Sequence, residues 1–290
     1  MVLFRDLNKA SADLLTKGYP HEKAWDLEYK YKSKNPEIVN TASVSPGGAF
    51  DASSKLKYCV SDVTTEVKMM ATGKSTIDVK YAAPKMKGLT LGAKFDRRGE
   101  KTSKDSLDIS AEYKLPTFHS FFSVNPISSS FSLGNVVEYN ALRVGSEVSG
   151  KLDASAMKYA LGASYTGAAS KAGVFTVSVK TAPHGDAVFG RMIGNVHGKT
   201  MDNKSTELAA EVDYNIVDGR TNIQFGGLWY LNDQKDTYLK AKLSQNARMS
   251  VALTHRVCDY VSATIGSQID VTKPSNPDAV KHGLKLEISA

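Results

Sequence analysis

The sequence predicts an all-β protein: a transmembrane antiparallel β-barrel preceded by a short N-terminal amphipathic helix. Apolar and polar residues alternate through most of the chain, which is typical of strands. No stretch approaches the ~18 consecutive apolar residues of a membrane-spanning helix. Mean hydropathy is only −0.28, but this value does not exclude a membrane barrel, because a barrel carries its apolar residues at every second position.

The N-terminal element has the period of an amphipathic helix. The residues that share its apolar face are Leu3, Phe4, Leu7, Ala10, Ser11, Leu14 and Leu15. Gly18 is suited to end the helix and Pro20 blocks its continuation. So short a helix is marginal alone in water and needs a surface to pack on. We therefore expect a helix and hinge over residues 1–20 and a barrel over 21–290.

From Trp25 onward the period becomes that of strands. The clearest alternating windows are 25–32, 89–96, 107–113, 208–214, 261–265 and 284–288. Short turns rich in Gly, Ser, Asn, Asp and Lys separate them. We count roughly 18 to 20 windows, with the weakest alternation between 115 and 200. With no long linker, this pattern indicates one continuous antiparallel sheet.

Charged residues occupy only one face of these windows. The thirteen basic ones are Lys30, Lys32, Lys57, Lys68, Lys80, Lys94, Lys114, Lys180, Lys240, Lys242, Arg248, Arg256 and Lys285. The eleven acidic ones are Asp26, Glu28, Glu66, Asp78, Asp96, Asp108, Glu112, Glu207, Glu211, Asp213 and Glu287. One face of the sheet is therefore expected to be dry and the other wet.

A soluble β-sheet protein would also alternate, so this pattern leaves two interpretations. Two features favour the membrane barrel. The strands are more numerous than one open sheet normally carries. An aromatic residue is often the last residue of the apolar face of a strand, which is where the aromatic girdle at a membrane interface would lie. Examples are Tyr81, Phe95, Tyr113 and Tyr214.

The sequence gives no sign of an enzyme. Cys59 and Cys258 are too sparse for a disulfide framework or a metal cluster, and the six His residues lack metal-ligand spacing. The Gly-Lys-Ser at 73–75 lacks the first glycine of a phosphate loop, because Lys68 stands there, and a strand pattern follows it. We expect no catalytic residues, no cofactor and no metal. The N-terminus also lacks the apolar core of a secretory signal.

Four stretches carry a resemblance to a known family. They are "FRDLNKASADLLTKGY" at 4–19, "KGLTLGAKFD" at 87–96, "KAKLSQNARMSVALTH" at 240–255 and "HGLKLEISA" at 282–290. Together they resemble the mitochondrial voltage-dependent anion channel family, the eukaryotic porins. The resemblance reaches both termini and is weaker through the middle third.

The resemblance implies a voltage-gated, weakly anion-selective diffusion channel of the mitochondrial outer membrane. Its permeants would be metabolites, adenine nucleotides and small ions. It would be surrounded by membrane lipid and would not bind nucleic acid. The resemblance leaves open whether the protein forms a homo-oligomer. The resemblance also implies nineteen strands, the known number for that channel, which the alternation alone does not determine. An odd number makes the first and last strands parallel, which would pair 25–32 with 284–288. The chain departs from the family at Pro20, where relatives usually have more glycine, so we expect a stiffer hinge.

The expected pore and gating residues come from the helix and the wet face. They are Arg5, Lys9, Asp13 and Lys17 of the helix, Gly18 of the hinge, and Lys30, Lys94 and Lys114 of the wall. Inside a lumen these charges would favour anions. Two rivals remain. One is the barrel pore of the mitochondrial protein-import machinery, for which a long N-terminal extension would be expected; the other is a soluble β-sheet lipid or ligand binder.

Overall fold

The computed structural model describes residues 2–33, 35–98, 105–153, 155–168, 173–185, 187–200, 205–273 and 279–290. One α-helix, α1 (Lys9–Thr16), lies between two 3-10 turns, Phe4–Asp6 and Pro20–Glu22. The latter is called the hinge turn below, and residues 2–24 are called the N-terminal segment. No helix in the described ranges is long and apolar enough to cross a membrane.

Nineteen strands follow the N-terminal segment. They are β1 (Trp25–Lys32), β2 (Glu37–Val44), β3 (Phe50–Val60), β4 (Val63–Met70), β5 (Ser75–Ala82), β6 (Leu89–Arg97), β7 (Ser106–Lys114), β8 (Phe118–Asn125), β9 (Ser130–Tyr139), β10 (Leu142–Lys151), β11 (Lys158–Ala168), β12 (Gly173–His184), β13 (Ala187–Thr200), β14 (Thr206–Asn215), β15 (Arg220–Tyr230), β16 (Thr237–Ser244), β17 (Arg248–Cys258), β18 (Val261–Asp270) and β19 (Val280–Ser289).

The strands form one closed sheet. Each strand pairs antiparallel with its neighbour in sequence, and β1 also pairs with β19 in parallel. The parallel register runs from Trp25 opposite Leu284 to Lys30 opposite Ser289. The predicted barrel and its parallel closure are therefore confirmed, and closure leaves no free sheet edge.

The two faces of the wall differ as the alternation predicted. On β14, Leu208 is exposed on the outside of the barrel, whereas its neighbour Ala209 is buried under the N-terminal segment inside it. Exposed large apolar side chains continue around the outside, with Phe225 and Ile265 as examples. The outer surface is thus apolar, as contact with lipid requires.

The N-terminal α-helix is shorter than the stretch of sequence that shows the amphipathic pattern. A 3-10 turn precedes α1, so the pattern from Leu3 to Leu15 covers two elements. Ala10 belongs to the apolar face of the sequence pattern but is exposed, so the helix face that meets the wall is narrower than the apolar stripe. Gly18 ends the helix with a positive φ of 79°, a conformation that glycine adopts without strain.

Candidate functional site: the barrel lumen

The N-terminal segment lies inside the barrel along the inner wall. Its first 3-10 turn contacts β9 and β10, α1 contacts β13, β14 and β15, and the hinge turn contacts β18 and β19. The segment therefore follows roughly half of the circumference. The lumen is bounded by this segment on one side and by bare wall on the other.

Two apolar clusters hold the segment against the wall. Phe4 and Leu7 pack with Val136 and Ala160 near its start. Leu14 and Leu15 pack with the wall residues Ala209 and Leu228 at the end of α1. Leu15 is only 1% exposed. Most of the fully buried apolar surface of the described chain therefore lies at this contact, inside the lumen.

The wall carries small residues where the segment lies on it. We call the set Gly145, Ala160, Gly162, Ala209, Gly226, Gly266 and Gly283 the small-residue track. A Cβ added at Gly226 would lie 2.8 Å from Leu15 Cδ2, and one at Gly283 would lie 2.0 Å from the carbonyl oxygen of Pro20. Larger side chains on the track would lift the segment off the wall.

Sequence reasoning missed this track. Its members occupy inward positions of strands, where the alternation predicts polar residues. Gly283, for example, stands between the inward-facing Lys281 and Lys285. A glycine or alanine at a strand position where the alternation predicts a polar side chain is the signal that could have indicated a close approach by another backbone.

Polar contacts fix the segment in place along its length. Lys180 Nζ donates a hydrogen bond to Asn8 Oδ1 at 2.7 Å. Ser11 Oγ donates to Asn195 Oδ1 at 3.0 Å. Both contacts join the segment to the wall between the two apolar clusters, so they fix its register as well as its position.

Lys240 anchors the end of α1. Its Nζ donates to the carbonyl oxygen of Lys17 at 2.6 Å and to that of Asp13 at 3.3 Å. The last carbonyls of a helix lack partners within the helix and carry partial negative charge, so an ammonium group stabilises them. Lys240 and Lys242 also stand over the ring of Tyr19, at 5.2 and 4.9 Å from its centroid. Burial raises the pKa of the Tyr19 hydroxyl.

The charged helix residues face the open lumen. Arg5 is exposed there, with its guanidinium 5.4 Å from the centre of the Phe121 ring. Lys17 is also exposed and pairs with Asp13 at 2.9 Å, while Lys9 approaches Asp6 at 3.9 Å. These surface pairs are weak, so the cations still contribute to the field of the lumen.

The predicted wall lysines are spread around the barrel rather than gathered into a cluster. Lys30 joins an ion network across the β1–β19 closure with Glu28 at 2.8 Å and Glu287 at 3.6 Å, and Lys285 contacts Glu28 at 2.7 Å. Lys30 therefore contributes to the closure of the barrel as well as to the charge of the pore. Lys94 pairs with Asp96 at 2.8 Å. Lys114 has no ion pair with any residue in the described ranges.

A cavity of about 440 Å³ opens between the start of the segment and the wall of β5 to β10. Its charged lining residues are Arg5, Asp78, Lys80, Lys94, Asp108 and Glu147. Cations and carboxylates are thus present in equal number on its walls. The cysteines Cys59 and Cys258 lie outside it, both exposed and free.

A closed barrel with an apolar outside, a charged inside and a water-accessible lumen defines a pore-forming β-barrel of the porin class. The family model for eukaryotic porins matches residues 1–283. The chain belongs to the eukaryotic porin family, whose members are outer-membrane β-barrels that serve as diffusion channels rather than enzymes.

Solved bacterial porin structures resemble the chain weakly. A triple mutant of the Rhodopseudomonas blastica porin has 8% sequence identity and a TM-score of 0.49, with 87% of this chain and 98% of that chain covered. Another mutant of the same porin has 8% identity and a TM-score of 0.48, with the same coverage. No curated protein sequence matches the chain.

Proposed function

We propose that this protein is a voltage-gated, weakly anion-selective diffusion channel of the mitochondrial outer membrane. It passes metabolites, adenine nucleotides and small ions through the lumen. The pore and gating residues are those of the helix, the hinge and the wall, namely Arg5, Lys9, Asp13, Lys17, Gly18, Lys30, Lys94 and Lys114. In this proposal residues 1–20 act as the gating part and residues 21–290 form the pore wall, surrounded by membrane lipid.

The docked N-terminal segment carries the proposal. Arg5, Lys9 and Lys17 of this segment have exposed side chains, and the segment lies against the inner wall. In the proposed channel these side chains narrow the path of permeating ions. Positive charge at a constriction raises the local concentration of anions and lowers that of cations. Because the opposing carboxylates Asp6 and Asp13 offset part of this charge, the preference is weak.

Ion selectivity tests the proposal directly. We expect the reversal potential of single channels in a planar bilayer under a salt gradient to show anion preference at low salt. The preference should fall as salt rises, because the Debye length shrinks from about 10 Å at 0.1 M to about 3 Å at 1 M. Arg5→Gln should move the reversal potential toward the cation side.

The matched control for Arg5→Gln is Lys85→Gln. Both substitutions remove one positive charge, but Lys85 is exposed in the turn between β5 and β6, outside the strands. A charge there lies farther from the constriction and is more strongly screened. Clear cation selectivity of the wild-type open state would rule out the proposed anion preference, and equal shifts in the two variants would rule out the role of Arg5.

Voltage gating is tested by removing the helix. A variant lacking residues 1–17 should show altered voltage dependence, because it loses Arg5, Lys9 and Lys17 from the lumen and exposes the small-residue track. Moving one elementary charge through the membrane potential changes the energy by about 2.3 kcal/mol per 100 mV. A gating curve unchanged from that of the full chain would show that the segment takes no part in gating.

Two rival functions are separated by simple measurements. A protein-import pore would crosslink to precursor proteins in transit, whereas a metabolite channel would not. A soluble lipid or ligand binder would leave the membrane on carbonate extraction; the exposed apolar outer wall favours retention. Localisation to mitochondria is tested by fractionation with an outer-membrane marker.

A further inference from the structure

The hinge turn contains a buried histidine, His21, which is not among the proposed pore and gating residues. His21 is only 4% exposed. Within the described residues its Nδ1 atom is buried and has no hydrogen-bond partner. A buried polar atom without a partner destabilises the structure, so its presence in the hinge calls for a physical reason.

More positive than negative charge acts on His21. Lys242 of β16 and Lys281 of β19 face it as cations, and Glu22 of its own turn is the opposing anion. The ring of Tyr19 lies 6.3 Å away, centre to centre. Farther along β19, Lys285 and Glu287 line the cavity beside Tyr19 and Pro20 and pair with each other at 2.6 Å. On the β18 side the turn meets Gly266 of the small-residue track, which carries no charge. A proton added to His21 would thus place a third positive charge beside two lysines in a buried site.

The hinge turn is held by packing that leaves little room for adjustment. Pro20 lies against both Gly266 and Gly283, where a Cβ would come within 2.6 Å and 2.0 Å of its atoms. Protonation leaves the size of the His21 ring almost unchanged, but it gives the buried Nδ1 a proton that has no acceptor among the described residues. An unpaired buried charge is costly, and the charged ring becomes hydrated when the turn leaves this seat. The turn connects α1 to β1, so its release removes one support from the end of the helix; the packing of Leu14 and Leu15 and the hydrogen bonds of Lys240 are the other supports.

We propose that His21 makes the hinge turn a pH-sensitive latch, which holds the N-terminal segment on β18 and β19 when neutral and releases its end when protonated. Burial and the two lysines lower the pKa of His21 below the ordinary value of about 6.5. The docked state therefore excludes the proton and the released state accepts it.

The sign of the pH dependence follows from this difference. Above about pH 6.5 both states are neutral and docking is at full strength. Between the ordinary and the lowered pKa, the ratio of released to docked segment rises about tenfold for each unit that the pH falls. Acidification thus weakens the attachment of the end of α1, while Phe4 and Leu7 still hold the start of the N-terminal segment.

Spin-label mobility at Thr16 tests the latch in the full-length protein in lipid bilayers. Cys59 and Cys258 are replaced with serine and Thr16→Cys carries the label; Thr16 is exposed at the end of α1. The spectrum should shift toward the mobile component between pH 7.5 and pH 5, and His21→Gln, which cannot take up a proton, should abolish the shift. The matched control is His119→Gln: the Nδ1 of His119 is also buried without a partner among the described residues, but its Nε2 contacts Glu112 at 2.8 Å and it lies outside the hinge turn, so this variant should keep the shift.

Two results would overturn the latch: spectra of the wild type and His21→Gln that coincide at every pH, or a shift lost in His119→Gln. A histidine NMR titration of the wild type, with the His21 signal identified by its absence in His21→Gln, is a second measurement. A His21 pKa at or above 6.5 would contradict the mechanism. The effect of acid on conductance rests on the proposed channel function; the spin-label experiment does not, so the two can fail separately.

Discussion

Gly283→Ala should release the hinge turn from the wall. The new Cβ would lie 2.0 Å from the carbonyl oxygen of Pro20 and 2.4 Å from that of Lys23, and both are backbone atoms that no rotamer change can move. Overpacking of this kind destabilises a contact by roughly 1–3 kcal/mol. Since β19 is fixed on both sides by β18 and β1, the hinge turn is the element that has to shift.

Trypsin measures this release, because Lys17 and Lys23 flank the hinge turn. When opening is fast relative to cleavage, the cleavage rate follows the population of the open form. A loss of about 2 kcal/mol should therefore make cleavage at these two lysines roughly 30-fold faster. Gly194→Ala is the control, since a Cβ at Gly194 meets nothing within 4 Å. Cleavage of Gly283→Ala at the wild-type rate would show that Pro20 does not depend on this seat.

Leu15→Ala should loosen α1 itself. Leu15 is almost completely buried between the helix and the wall, where it packs with Ala209 and Leu228. Truncation removes buried methyl groups and leaves a cavity that the rigid barrel wall cannot close. Changes of this type destabilise by about 2–5 kcal/mol. The helix is too short to persist without its docking surface, so the loss appears as local unfolding of α1.

Hydrogen exchange over residues 9–16 measures that unfolding. A loss of 2 kcal/mol or more corresponds to exchange at least about 30-fold faster across α1, with the strands unaffected. Leu3→Ala is the matched control, because Leu3 is only half-buried and lies at the far end of the segment. Unchanged exchange in α1 of the Leu15→Ala protein would show that the polar anchors alone hold the helix.

The strand pattern was predictable from the sequence because it is local. Alternation along Trp25–Lys32 or Leu89–Arg97 needs only the period of two residues that a strand imposes. The windows between 115 and 200 alternate less clearly, since inward glycines such as Gly145 and Gly162 interrupt the polar face, yet six strands from β8 to β13 lie there. The positions of these strands are determined by their hydrogen-bonded pairing with neighbouring strands, because their own alternation is too weak to predict them.

The candidate site was predictable only in part. The charges of α1 and the end of the helix at Gly18 follow from local sequence. The stiffening expected at Pro20 stays a prediction, although the structure shows Pro20 packed on Gly266 and Gly283. The engagement of Lys240 with helix carbonyls was not foreseeable, because its partner Lys17 lies 223 residues away in the chain.

Local sequence was enough to predict the wall and the need of the N-terminal segment for a packing surface. It indicated one dry and one wet face of the sheet and a strand count near nineteen. Each of these depends on residues within a few positions of one another. The position of that segment, the glycines on which it packs and the lysine that binds its last helix carbonyls became known from the folded structure alone. Those contacts exist because barrel closure brings distant strands around one lumen, and no local period records that geometry.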